Sequence, residues 1–399
     1  MRYPNLSRLS GSSLFFFVAC LIIISVGLGD TWPQGMSFIL ICQTALIFVF
    51  ILLFIAIKNN INIYFVLFYT FLIWGFVGAL IFQNDIVSII RDVGPMLFLI
   101  FPLASKYLAR NWLAEIDARF FIYLVLLSAL LLSVRFLFPY LSSYGLDISN
   151  IIASHFFPER NPNFHDPTLL FSCVFAIVYL LTNKTKYLFR FYLMILILLI
   201  FFIHFVAILR APLIFYFLAI IAGLLFKPNP MRIFTLIVLI LSYFFYDVDT
   251  LSIFNDIVSK FEDHGDNGKL NEYLVIYRFL ETNSIWAILF GIGFGSEYYS
   301  EITLTTLRYT HTIFSFILLK FGFLGLFFFF AIYFYIIFNL FFYLFRTYRD
   351  KDSFSYSLCL ATFSVFIVYT LTQPAFKSLS FSLLLFIFYF HKFKIRYLS

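Results

Sequence analysis

Apolar residues run along this chain in blocks of roughly 16–24, each closed by a short polar or basic connection, and such blocks read as membrane-spanning helices. The pattern predicts about twelve spans, at residues 13–29, 36–57, 61–82, 86–105, 120–139, 167–182, 188–209, 211–226, 231–246, 311–345, 354–372 and 378–391. The tenth is broken near Gly322. Two connections are long, about 140–166 and about 247–310. In the second, Tyr273–Phe290 has the apolar spacing of a helix lying on a membrane surface. The run FEDHGDNGKLNEY before it reads as a solvated loop tip. No internal repeat or low-complexity linker divides the chain. The expected fold class is therefore an all-α integral membrane protein, residues 1–399 forming one polytopic domain capped by the loops 140–166 and 247–310.

Composition sharpens this picture. The chain is 63% hydrophobic and 12% charged, against about 45–50% and about 25% in soluble domains. With 61 Phe and 26 Tyr, its apolar surface exceeds what one water-soluble core can hide. A net charge of +7 would suit nucleic acid, but the positions of the basic residues argue for membrane orientation and against a nucleic-acid partner. Seventeen of the 27 fall in alternate connections on one side: Arg2 and Arg8; Lys58; Lys106, Arg110 and Arg119; Lys184, Lys186 and Arg190; Lys227 and Arg232; Arg346, Arg349 and Lys351; Lys392, Lys394 and Arg396. Basic short loops stay in the cytoplasm, so both termini are expected there. The other basic residues, Arg91, Arg135, Arg160, Arg210, Lys260, Lys269, Arg278, Arg308, Lys320 and Lys377, lie in outer loops or within spans, where a chemical reason for them is expected. Cys20, Cys42, Cys173 and Cys359 each sit inside an apolar run without metal-ligand spacing and read as small core residues. The first apolar run lacks a small-residue cleavage site and reads as a span, not a cleaved signal.

Several polar residues then carry candidate chemistry. Arg210 lies between two apolar runs at their outer end, with Pro212 behind it as at a helix start. It reads either as a snorkelling Arg reaching headgroup phosphates or as an anion ligand at a helix N-terminus. Arg91 beside Asp92 is either a local ion pair or a second phosphate clamp. Arg278 is an exposed loop residue or a bidentate phosphate ligand. Gly291-Ile-Gly-Phe-Gly295 lacks the βαβ setting of a dinucleotide site, but it permits a tight turn and close backbone approach. His311 opens an apolar run with Thr310 as a candidate N-cap, and its ring is an interfacial anchor or a base near neutral pH. His204 reads as a packed interior residue, and Lys320 as the mark of a broken helix. No His/Cys/Asp set with metal spacing, Gly-x-Ser-x-Gly or phosphate-binding Gly-x4-Gly-Lys motif occurs.

Four of these features together resemble the superfamily of O-antigen polymerases (Wzy) and O-antigen ligases (WaaL). Leu209-Arg-Ala-Pro-Leu213 is similar to its Arg-small motif between two spans, with Leu209 where a Ser is usual. Arg160-Asn-Pro-Asn163 resembles its loop ending in Asn-Pro-Asn. Tyr277-Arg-Phe-Leu-Glu281 with the later Gly291–Ser296 resembles its large outer loop, Arg278 taking the place of the loop Arg. His311-Thr-Ile-Phe followed by Lys320-Phe-Gly-Phe-Leu-Gly-Leu resembles its His-Asn and Glu-x-Gly-x-x-Gly return into the membrane. Thr312 and Lys320 stand where that pattern has Asn and Glu, so no role for the acid carries over. The motifs cover about 160–326.

The resemblance implies a GT-C-like glycosyltransferase of the bacterial inner membrane, acting at the periplasmic face through short surface helices of the large loop. Its substrates would be undecaprenyl-diphosphate-linked oligosaccharides, with a flippase and a chain-length regulator as further partners. Arg210 and Arg278 would take the diphosphate oxygens, Arg91 would assist, and His311 would orient or deprotonate the acceptor hydroxyl. Arg160, Asn163, Gly293, Gly295 and Tyr298 would line the substrate, with Tyr298, Tyr299 and Trp286 stacking on sugars. No metal or cofactor is required, since arginines supply the positive charge. The polymerase reading is preferred to the ligase reading, which differs in using lipid A–core as acceptor. A transporter or flippase is the alternative from another class, and it predicts two related halves with helix breaks at mid-membrane.

Overall fold

The computed structural model describes residues 18, 20–28, 63–86, 88–89, 92–93, 105, 117–144, 165–206, 209–226, 269–300, 305–307, 310, 312–371 and 378–398. The expected spans at 36–57 and 231–246, most of the span at 86–105 and of the loop at 140–166, and residues 247–268 of the second loop lie outside them. The described residues are mostly helical. In chain order they form α1 (Ile63–Ile81), α2 (Ala118–Tyr144), α3 (Pro167–Thr182), α4 (Tyr187–Val206), α5 (Arg210–Phe226), α6 (Lys269–Asn283), α7 (Ile285–Phe290), strands β1 (Tyr298–Ser300) and β2 (Thr305–Leu307), then α8 (Ile313–Arg349), α9 (Ser353–Leu371) and α10 (Leu379–Leu398). Residues 20–28 are also helical. Four helical stretches are long and apolar enough to cross a membrane: Ala118–Phe138, Tyr187–Phe205, Ile313–Arg349 and Ser353–Leu371. Helices α1, α3, α5 and α10 coincide with four more of the expected segments.

Helix α3 is the centre of the bundle, packing against α2, α4, α5, α9 and α10. It starts where Asp166 accepts from the Thr168 N–H at 2.8 Å and Pro167 occupies the first turn. Every residue from Pro167 to Val178 is buried. Its main partner α9 is rich in small hydroxyl residues, and several of their donors turn back onto their own helix. Ser357 donates to Ser353 O (2.8 Å), Thr362 to Leu358 O (2.8 Å) and Thr370 to Phe366 O (2.6 Å). Small side chains let the helices approach while these three buried donors are satisfied. The helix at 20–28 uses the same device, Gly27 lying against Ser128 while the Ser128 hydroxyl donates to Ile23 O at 2.7 Å.

Bulky residues fill the core, as Phe121, Phe171 and Phe175 do, and also line the outside. On α8, Phe327, Phe330, Phe334, Phe338 and Phe342 recur at helical spacing and are exposed, neighbours from Phe330 onward stacking at 6.1–6.3 Å. Lipid is as apolar as these rings, so an outward Phe stripe suits a membrane-facing helix.

The two ends of the bundle differ in charge. At one end Ser353 reaches Thr182 O (3.5 Å), Tyr348 reaches Leu225 O (3.4 Å), and the Arg119 guanidinium lies 5.4 Å from the Phe354 ring. Lys184, Lys186, Arg346, Arg349, Lys351 and Lys392 gather at this end with Arg119. At the other end, where α5 and α8 also start, Ser380 donates to the Asp166 carboxylate (3.1 Å).

Candidate functional site

A small cap of α6, α7 and the antiparallel pair β1–β2 covers the first turns of α8. The strands pair Tyr298 with Leu307 and Ser300 with Thr305. Ser284 ends α6 and caps α7, its hydroxyl accepting from Ala287 N at 3.0 Å. The helical spacing over Tyr273–Phe290 is thus realised as two short helices. Helix α6 also begins earlier than expected, at Lys269. The end of the run read as a solvated tip is therefore helical, and its Glu272 is buried.

Helix α8 starts at Thr312, not at the candidate cap Thr310. The Thr312 hydroxyl accepts from Ser315 N (3.1 Å) and the Ser315 hydroxyl accepts from Thr312 N (3.4 Å), a reciprocal capping box. Thr310 instead donates to Thr312 O at 3.0 Å. Glu272 closes this cluster, accepting from the Tyr298 hydroxyl (2.7 Å) and the Ser315 hydroxyl (2.7 Å). Tyr273 shares a 2.6 Å hydrogen bond with Thr312, and burial holds its phenol above the ordinary range, so it stays protonated.

Helix α8 breaks at Gly322, where φ is 64° and ψ is −165°. The left-handed φ suits glycine, and a break in a helix leaves carbonyls seeking donors. The glycine-rich segment supplies them. Ile292 N donates to Leu319 O (3.1 Å) and Gly293 N to Lys320 O (3.0 Å). Its other amides also have acceptors: Gly291 N on Ala287 O (2.8 Å), Phe294 N on Gly75 O (3.0 Å) and Gly295 N on the Asp92 carboxylate (2.8 Å). Asn84 donates to Ile292 O (2.9 Å) and Phe294 O (2.7 Å). All five amides are used within the protein, so the segment has none to offer a phosphate. The close backbone approach expected of these glycines is real, but it is to α1. A Cβ on Gly293 would lie 2.1 Å from Ala79 N.

Lys320 stands one turn into this arrangement, completely buried. Its ammonium lies 2.6 Å from the Asp92 carboxylate and donates to Ser296 O at 2.7 Å. The helix is broken as the sequence suggests, and a deep charge sits beside the break as well. Asp92 is engaged by Lys320 and Gly295; its neighbour Arg91, read as a local ion pair or a phosphate clamp, lies outside the described residues. Lys320 occupies the place of the acid in the resembled motif, and here it neutralises an acid from another helix.

Of the expected site residues, Arg91, Arg160, Asn163 and His311 lie outside the described residues. Gly293, Gly295 and Tyr298 come together in the cap. Tyr298 is 2% exposed, with its hydroxyl on Glu272. Its ring is part of the cap's own core and presents no stacking face, whereas Trp286 and Tyr299 are exposed. Arg278 is exposed on α6. Arg210 is half-buried at the first residue of α5, at the same bundle end as the start of α8. Just before it, Leu209 N donates to His204 O at 2.9 Å, and the buried His204 ring pairs with the Tyr216 hydroxyl, as expected of an interior histidine. Sequence reasoning missed Glu272, Asn84 and Asp166. Glu272 carried one faint signal, its place six residues before Arg278 on the same amphipathic helix.

No protein-family model matches the chain, and no curated protein matches it significantly. The class its fold and composition define is a helical membrane protein.

Proposed function

We propose that this protein is a membrane glycosyltransferase that extends a surface polysaccharide, moving a glycan from one undecaprenyl-diphosphate carrier to a lipid-linked repeat unit at the outer face. About twelve spans and a GT-C-like arrangement belong to this reading. The observation that carries it is Arg210 at the N-terminus of the apolar helix α5, at the bundle end opposite the cluster of basic residues. A guanidinium and the first amides of a helix together suit a diphosphate. Arg278, exposed on the cap that covers the start of α8, is a second cation at that end.

In the reaction, the bond between the donor's anomeric carbon and the diphosphate oxygen breaks as the acceptor hydroxyl bonds to that carbon. Arg210 and Arg278 balance the charge left on the departing diphosphate. His311 takes the acceptor proton. The donor is already activated, so positioning and charge neutralisation supply the catalysis.

Also favouring this reading over a transporter is the position of the helix break. Gly322 to Arg346 spans roughly 36 Å at about 1.5 Å per residue, against a hydrocarbon core of about 30 Å. With Arg346 at one surface, the break falls near the other surface and away from the midplane.

Complementation of a strain lacking the gene tests the proposal, with lipopolysaccharide resolved on a gel and membrane levels checked. The deletion is expected to leave core bearing one repeat unit. Wild type restores the ladder, and Arg210→Ala, Arg278→Ala and His311→Ala do not. Bare core with polymer held on the lipid carrier identifies the ligase instead. A normal ladder in the deletion strain overturns glycan assembly altogether.

A further inference from the structure

The opposite end of the bundle holds a second arrangement, independent of the glycan reading. Between α8 and α10 lies a cavity of about 320 Å³, within the roughly 300–1,000 Å³ typical of small-molecule sites. Its walls are aromatic, from Tyr335, Phe338, Phe342 and Tyr343, and its polar lining is Asn339, Arg346 and Lys392. Two cations and no acid therefore face an apolar groove.

Lys392 is held in place. Lys392 donates to the Asn339 side-chain oxygen at 2.5 Å, and its ammonium lies 5.8 Å from the ring centres of Tyr343 and Tyr389. Arg346 is 3.5 Å from Asp350, but both side chains are largely exposed. An exposed pair of this kind contributes only about 0–1 kcal/mol, so a phosphate can share the guanidinium. Below the cations, Phe338 and Phe342 are exposed and begin the aromatic stripe that continues along α8. Arg346 also sits at the headgroup level set by the length of α8 from its break.

We infer that this groove binds one anionic phospholipid, its phosphate against Arg346 and Lys392 and an acyl chain along Phe342 and Phe338. Charge complementarity selects this occupant. A basic pocket between spanning helices suits an anionic headgroup. A free anion gains nothing from the aromatic walls, and a zwitterionic lipid brings a cation toward two others.

The test uses full-length protein, stripped of lipid in detergent, with phosphatidylglycerol or phosphatidylcholine of the same chains added back. Native mass spectrometry is expected to retain one phosphatidylglycerol, and thermal unfolding to shift upward with it. Arg346→Gln with Lys392→Gln should weaken binding by roughly tenfold or more. Lys184→Gln with Lys186→Gln, at the same end but outside the groove, should leave it unchanged. A Phe342→Trp variant reads the site without altering either cation, and brominated phosphatidylglycerol should quench it more than brominated phosphatidylcholine. Equal effects of the two lipids, undiminished binding by the double Gln variant, or an equal shift from inorganic phosphate alone overturns the assignment.

Discussion

Lys320 shows how little a residue's type says about its state. A lysine in an apolar run is costly in hydrocarbon unless paired or able to reach water. Here the cost is met by the Asp92 carboxylate at 2.6 Å and the Ser296 carbonyl. Removing one member of a buried pair leaves the other uncompensated, at about 3–5 kcal/mol, while replacing both with apolar groups is often nearly neutral. Lys320→Met is therefore expected to lower the unfolding temperature in detergent sharply, and Lys320→Met with Asp92→Leu to recover much of the loss. If the double variant is as unstable as the single, the pair is not the reason Lys320 is tolerated. The sequence displayed the lysine and the break beside it. Its partner lies on another helix, and nothing local to either residue points to the other.

Among elements, the crossing of the Gly291–Gly295 segment between α1 and the broken turn of α8 decides how the cap is seated. Gly293 has φ 81°, and its Cα lies against the backbone of Gly78. A methyl group there meets backbone atoms of α1, which cannot swing aside as a side chain would. Gly293→Ala is expected to cost membrane yield and produce an early-eluting, polydisperse species on size exclusion. A variant that elutes and melts like wild type removes the claim that this crossing fixes the cap. The glycines were visible in the sequence as a place of close approach. What they approach was not, because a Gly-x-Gly-x-Gly pattern reads the same whether the neighbour is a phosphate or a helix.

For the whole molecule, the separation of charge between the two ends is the feature with the widest consequence. Basic residues distant in sequence, such as Arg119, Lys186 and Lys351, share one end, and the cap lies toward the other. Under the proposed function the basic end faces the cytoplasm, the orientation that the positive-inside rule favours. Lys186→Cys and Glu281→Cys, each in a background with Cys20 and Cys42 replaced by Ser, should therefore react with a membrane-impermeant maleimide from opposite sides. Cys173 and Cys359 are buried and should stay silent. Labelling of both new cysteines from the same side would reverse the orientation of the cap and move the candidate site to the other compartment.

Among the described residues, the sequence by itself determined the helical segments and the sharing of one end by the basic connections. Hydropathy and charge alternation are local properties summed along the chain, and a bilayer imposes its thickness on them directly. Arg210 at the start of a helix was legible for the same reason. The tertiary structure alone decided the partner of Lys320, the use of every amide in the glycine segment, and the burial of Glu272 and Tyr298. These depend on groups such as Asn84 and Ile292, which are 208 residues apart. A buried polar group needs a donor or acceptor of matching geometry from whatever helix is adjacent, and adjacency is set by packing rather than by sequence.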